Sequence, residues 1–392
     1  MRTIFLTLVL ICFFGISQGF AAGPMCSLVF TQFGGKKYFS ENGLQIFRSP
    51  TLKKEMAFDY KPAKKAGPTW LIIHGLGDDM SKMEQITALA DAEGFGVLRV
   101  DLFGHGETLQ RYMSTHDGHL PGDLYYKDNI IVIKELLQKN NIKDVVIVGH
   151  SYGGGISYGL AAELGHLKGK NKINVRSLHM LAPYVQRIDK FIKNYFQSPD
   201  FLLHQTAKTM EQMGAHPEVV KNIMDPLFSM TWAMTAGIRY MNDFVTSSFK
   251  VDQWQDFAMD PILQKYMSQS YRKYFIAMTK KDESALNEKE LKAIDIQVEA
   301  AIRVTKGIRD FDLLDTTSDL KDFGAPVQVI GGNKDKLVIP GQLYEFDQRL
   351  KIDNIPHRLD FVDGENSHHL FPRYMAPEVY GMIRAFQKTP QK

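Results

Sequence analysis

Cysteine is nearly missing from this chain of 392 residues, which carries two, Cys12 and Cys26. A disulfide framework is therefore excluded as the source of stability, and a chain of this length buries enough core to do without one. A strong charge of either sign is missing too. The 47 lysines and arginines stand against 44 aspartates and glutamates, a formal net charge of +3. That balance leaves no electrostatic footprint for nucleic acid or for an anionic surface. Internal repeats and low-complexity tracts are absent, so repeat architectures and disordered scaffolds fall away. Hydrophobic content of 44% and charged content of 23% are those of a globular protein.

The apolar run Ile4–Ile16 is too short to span a bilayer comfortably, where roughly 20 apolar residues are needed. It follows Met1-Arg2-Thr3 and precedes Ser17-Gln18-Gly19-Phe20-Ala21-Ala22. A basic start, a short apolar centre and a small-residue exit read as a secretory signal peptide over 1–22, cut after Ala21 or Ala22. Cys12 would leave with it and Cys26 would remain alone. Gly23-Pro24-Met25 does not look like a lipoprotein processing site. The expected location is the periplasm or the cell exterior.

Along the rest of the chain, short β-type segments come first, at Leu28–Phe33, Leu44–Arg48 and Glu55–Tyr60. The last two alternate apolar and polar residues, as a half-exposed antiparallel edge does. Short apolar runs then alternate with amphipathic stretches. Strands are expected at Thr69–Ile73, Gly96–Val100, Val145–Val148 and Arg176–Leu181, with helices at Met83–Glu93, Lys127–Asn140 and Ile156–Leu167. This is the rhythm of parallel βαβ units with helices on both faces of the sheet. It stops from about Tyr184 to Leu320, a Met-, Phe-, Tyr- and Trp-rich stretch with helical period, too long and apolar for a loop. It resumes with Pro326–Ile330, Gly341–Leu350, His357–Val362 and Pro377–Gln387. The expected organisation is a discontinuous α/β core over 23–183 and 321–392, interrupted by a helical lid over 184–320.

Directly after Val145–Val148 stands Gly149-His150-Ser151-Tyr152-Gly153, a G-x-S-x-G motif between a strand and a helix. Glycines beside the serine permit a tight turn that projects the hydroxyl at the carboxyl end of the sheet. On these residues the chain resembles the α/β-hydrolase family, over about Leu44–Tyr184 and Pro326–Gln387. The resemblance implies an α/β-hydrolase fold, a mostly parallel sheet flanked by helices. It also implies a nucleophile, acid and histidine in that chain order. Asp335 in Gly331-Gly332-Asn333-Lys334-Asp335 then takes the place of the acid. The base comes from Ser367-His368-His369-Leu370; His368, which follows a small residue, is preferred, with His369 as the alternative. The resemblance further implies an oxyanion hole from the backbone N–H groups of Tyr152 and, after His74-Gly75, Leu76.

Other polar clusters receive plainer readings. His74 is expected to bond loop backbone, and the pair Asp78-Asp79 to cap a helix. Asp101-Leu102-Phe103-Gly104-His105-Gly106 resembles the family's structural D-x-x-G-H-G turn. Tyr112–Tyr126, with His116 and His119, is read as a rim loop ahead of a metal site. The implied activity is hydrolysis of carboxylic esters, lipid or other apolar acyl esters among them, with no metal or organic cofactor. The expected partner is a small-molecule or lipid ester, with contact between lid and membrane surface as an option. Thioester or amide hydrolysis, acyl transfer, and a binding protein that keeps the fold without turnover are the alternatives.

Overall fold

The computed structural model describes residues 43–116, 124–185, 281–307, 316–335 and 337–388, with isolated positions between them. The signal-peptide reading, the strand at Leu28–Phe33 and Cys26 lie outside the described residues, as does most of the insertion.

Eight strands form one sheet. They are β1 (Gln45–Arg48), β2 (Glu55–Lys61), β3 (Thr69–Ile73), β4 (Gly96–Val100), β5 (Asp144–His150), β6 (Asn174–Leu181), β7 (Val327–Gly332) and β8 (His357–Val362). Their order is β1-β2-β4-β3-β5-β6-β7-β8. The β1–β2 and β2–β4 pairs are antiparallel; all pairs from β4 through β8 are parallel. The central strands read as unbroken apolar runs because both faces are covered: all five residues of β3 are buried, as are Val145–Val148 of β5.

The covering helices are α1 (Glu84–Ala92), α2 (Gly106–Thr115), α3 (Tyr126–Lys139), α4 (Tyr152–Gly165), α5 (Glu288–Gly307), α6 (Pro340–Ile352), α7 (Phe371–Tyr374) and α8 (Ala376–Lys388). Helix α3 turns Ile130, Ile133, Leu136 and Leu137 into the core, the face that its 3.6-residue period specifies. Helix α6 opens with Pro340 in its first turn, where a missing N–H costs nothing. No described helix is long and apolar enough to cross a membrane.

Two readings change. β1 does alternate in burial, as an edge should, but Ala57, Phe58 and Asp59 of β2 are all buried. β2 lies between β1 and β4 and is covered on both sides, so its alternation does not mark an exposed face. The first part of Tyr112–Tyr126 is not loop, since Tyr112–Thr115 ends α2. His116 follows as its C-cap, stacked on Tyr112 at 3.9 Å between ring centroids.

Between β6 and β7 the described residues contain no strand. Phe275, Leu286, Ile294, Val298 and Ala301 form a small core separate from that of the sheet. Part of the aromatic content of this segment therefore packs the segment itself. Its helix α5 docks closely: a Cβ on Gly307 would lie 2.0 Å from the Leu124 carbonyl oxygen. Only glycine permits that approach.

Candidate active site

The site is assembled at the carboxyl ends of β3, β5, β7 and β8, where the loops of an open parallel sheet meet. Ser151 sits between β5 and α4 with φ 53° and ψ −118°. A non-glycine residue at positive φ stores strain on the order of 1–3 kcal/mol. Neighbouring backbone holds it there. Its N–H donates to the Leu181 carbonyl at 2.9 Å, and its own carbonyl accepts from Gly154 and Tyr184, each at 2.9 Å. The flanking glycines are sterically required: a Cβ on Gly149 would fall 2.0 Å from Ser157 Oγ, and one on Gly153 2.2 Å from the His74 carbonyl oxygen.

Asp335 and the histidine loop are locked together by backbone. The Lys334 N–H donates to the Ser367 carbonyl at 3.1 Å, and the Asn333 N–H to that of Val362 at 3.1 Å. Gly332 allows this, since a Cβ there would meet the Ser367 carbonyl oxygen at 2.1 Å. Asp335 is buried, and its Oδ1 accepts the N–H groups of Leu337 and Val338 at 2.8 and 2.9 Å. Its Oδ2 faces His369 Nδ1 at 2.9 Å, and His369 Nε2 faces Ser151 Oγ at 2.9 Å. With a carboxylate on Nδ1, that nitrogen carries the ring proton and Nε2 is left to accept from the serine.

The structure thus brings His369 to Ser151, and the preference for His368 is corrected. His368 Nδ1 accepts the Leu370 N–H at 3.3 Å, and its ring packs on Tyr374 at 5.4 Å. Fixing Ser367 against the acid loop turns the next side chain outward and the one after it inward.

The loop after β3 passes beside the serine. A Cβ on Gly75 would stand 3.2 Å from Ser151 Cβ, so the backbone leading to Leu76 runs against the nucleophile. Tyr152 opens α4, where a first-turn N–H has no partner within the helix. His74 bonds backbone as expected: Nδ1 donates to the Gly75 carbonyl at 2.8 Å and Nε2 accepts from Leu102 at 3.1 Å. Asp79 caps the short 3-10 turn Met80–Met83 through the Ser81 N–H at 2.8 Å. Asp78 does not cap; it pairs with Arg373 of α7. Asp101 accepts from Met80 at 2.6 Å and Glu107 at 2.7 Å, bracing two loops beneath the site. Gly106, at φ 48°, is where a Cβ would overlap Asp101 Oδ2 at 2.2 Å.

Sequence reasoning missed the Asp78–Arg373 pair, and it missed that His150 Nε2 lies 2.8 Å from the carbonyl oxygen of His369. The histidine inside the G-x-S-x-G motif and the acidic doublet after His74-Gly75 were the visible signs.

Burial pushes His105, His150 and His179 down to about 3, and pushes Asp101 up to about 7. Each histidine regains its proton on unfolding, so its contribution is intact above about pH 6.5 and is lost as pH falls toward its folded value. Asp101 acts oppositely, stabilising at low pH and losing that effect as pH rises through its folded value. From about pH 6.5 down to 4.5 the unfolded chain takes up three protons on the histidines against one held on folded Asp101, so acid destabilises. Thermal unfolding followed across this range is expected to show the midpoint falling steadily. A midpoint that stays level or rises would contradict the buried, neutral histidines.

A family profile described as alpha/beta hydrolase fold matches residues 68–372. The chain belongs to the α/β-hydrolase fold family. It is 27% identical over 121 residues to protein phosphatase methylesterase 1 of Candida albicans, covering 31% of this chain and 32% of that one. It is 25% identical over 160 residues to a Drosophila melanogaster protein named probable serine hydrolase, covering 40% of this chain and 44% of that one. The chain thus spans about a third to a half of the length of these curated relatives. Among solved structures, a thermophilic esterase from Thermogutta terrifontis superposes with a TM-score of 0.50 at 13% identity, over 89% of this chain and 99% of that one. At that identity the likeness concerns the fold.

Proposed function

We propose that this protein is an exported serine hydrolase that cleaves carboxylic esters through an acyl-enzyme, with Ser151 as nucleophile, His369 as base and Asp335 as its orienting acid. The observation that carries the reading is the continuous chain Asp335–His369–Ser151, with both contacts at 2.9 Å, ending on a serine held at positive φ. A serine hydroxyl is a weak nucleophile, and such a chain is what activates it.

In the forward step His369 Nε2 takes the Ser151 proton as Oγ bonds to the carbonyl carbon. The N–H groups of Leu76 and Tyr152 are assigned to the oxyanion; one such donor contributes about 2.7–4 kcal/mol to barrier lowering. Imidazolium on His369 faces Asp335, and its proton passes to the departing alkoxide, which leaves as alcohol. Water then attacks the acyl carbon with His369 again as base, releasing acid and restoring the serine. The insertion between β6 and β7 serves as a lid favouring apolar acyl chains, a reading supported by its Met-, Phe- and Trp-rich sequence. Its separate small core assigns some of those side chains to packing instead. Export rests on the N-terminal sequence, and contact of the lid with a membrane surface on the lid's composition.

The test is a fluorophosphonate probe together with p-nitrophenyl esters of increasing acyl length. Stoichiometric labelling that disappears in Ser151→Ala, with turnover rising beyond the acetyl ester, is the expected result. A wild-type protein inert to both would sink the reading and move the binding-protein alternative ahead.

A further inference from the structure

A second set of polar side chains, His150, Asp78 and Arg373, lies under the first and meets it at the His369 carbonyl. His150 is the last residue of β5, fully buried beside Ser151. Its Nε2 lies 2.8 Å from the carbonyl oxygen of His369, and its ring centroid 5.0 Å from that of His369. A carbonyl only accepts, so Nε2 carries the proton, and in a neutral ring Nδ1 is a bare lone pair. Among the described residues Nδ1 has no hydrogen-bond partner. The group it faces is Asp78 Oδ2, 3.9 Å away on the loop after β3, and that carboxylate is held by Arg373 of α7.

We propose that His150, with Asp78 and Arg373 behind it, is a positioning residue that fixes where the His369 ring stands over Ser151. The proposal rests on the serine-hydrolase reading. The geometry forms a run of side chains between the two loops. From His369 it passes through the His150 side chain to the Gly75–Asp78 loop, and then through Arg373 back to the histidine loop four residues further on. The hydrogen bond to the His369 carbonyl holds the backbone of the base to the residue before the nucleophile, and the Asp78–Arg373 pair holds the loop carrying Leu76 to α7; between His150 and Asp78 there is packing and no hydrogen bond. Among the described residues the His150 contact is a buried side-chain hydrogen bond to the His369 backbone.

The arrangement also decides the charge of His150. The titratable and charged groups facing it are Asp78, Arg373 and His369, with His74 beyond Asp78. Asp78 favours a proton on His150, but burial outweighs it, and the neighbouring His369 and Arg373 oppose it as well. Burial keeps the ring neutral, at about 3. A second imidazolium beside His369 would oppose the positive charge that His369 takes up as the serine attacks. Neutral His150 supplies a donor without that repulsion.

The comparison that tests this is His150→Gln against His150→Asn. Glutamine places an amide N–H where the ring has Nε2; asparagine places one where the ring has Nδ1, short of the His369 carbonyl. Both are polar, similar in volume and equally foreign to the pocket. Turnover is measured per active site titrated with fluorophosphonate, which removes any loss through unfolding. His150→Asn is expected to lower kcat about 100-fold with KM within about threefold, the scale of a base displaced by about 1 Å. His150→Gln is expected to recover to within about tenfold of wild type. Equal kcat in the two variants, or a change confined to KM, would overturn the positioning role. A wild-type protein that the probe does not label would instead overturn the hydrolase reading beneath it.

Discussion

Replacing His369 with alanine is expected to lower ester turnover by a factor on the order of 10⁴–10⁶, and replacing Ser151 by as much, while His368→Ala stays within about tenfold of wild type. The asymmetry follows from position. His369 Nε2 is 2.9 Å from Ser151 Oγ and Nδ1 is 2.9 Å from Asp335, so its removal takes away both proton acceptor and link to the acid. His368 bonds the Leu370 N–H and packs on Tyr374, which supports the loop without touching the serine. Ser151→Ala and His369→Ala should not multiply when combined, because either alone disables the same step. Steady-state kinetics on the three variants, with burst amplitudes to count active sites, measures this. A large loss in His368→Ala with little in His369→Ala would reverse the assignment of the base.

The second large effect concerns Gly153. An added Cβ would stand 2.2 Å from the His74 carbonyl oxygen and 2.6 Å from that of Ile73. Both are backbone atoms at the end of β3, a strand buried throughout and paired on both sides, so neither can retreat. Gly153→Ala is therefore expected at or beyond the upper end of the overpacking range, about 3 kcal/mol, a fall of roughly 4 °C in melting temperature. Activity should fall further than stability, because the same shift lifts Ser151 away from His369. Gly381→Ala is the control: it lies within α8, a Cβ there meets nothing within 4 Å, and about 0.5–1 kcal/mol of stabilisation is expected. Calorimetry of the two variants settles the matter, and a Gly153→Ala protein as stable as wild type would mean that the elbow is looser than its contacts indicate.

Much of the sheet was readable because buried parallel strands leave short, mostly apolar runs: Thr69–Ile73 and Gly96–Val100 are strands with the expected limits and are buried throughout, while His357–Val362, half-buried at the far edge, has the expected limits on an alternating pattern. Helix α4 begins at Tyr152, four residues before its apolar pattern does, because the elbow starts the helix and its glycines carry no periodic signal. Helix α2 was hidden for a related reason. Only Thr108 and Leu109 are buried in it, and it is started by the Gly106 turn and the Asp101 carboxylate rather than by an apolar face. The positions of Ser151 and Asp335, each just after a strand, were legible. The histidine was not, because the choice between neighbours depends on how Ser367 is pinned across Gly332, a contact between two loops. For the same reason the Asp78–Arg373 pair, separated by nearly 300 positions, left no local mark.

β6 ends at Leu181 and β7 begins at Val327, yet the two lie side by side in the sheet. The intervening stretch is about 145 residues, and closing so long a connection in place of a six-residue turn costs about 3 kcal/mol of chain entropy. That is a small toll for a whole added region, and the growth is logarithmic, so doubling it again would add only about 0.6 kcal/mol. The sheet, the elbow and the paired acid and histidine loops can therefore be inherited unchanged while the inserted region is lengthened, shortened or exchanged. Selection can retune the inserted region without disturbing the sheet and the loops that bring Ser151, His369 and Asp335 together.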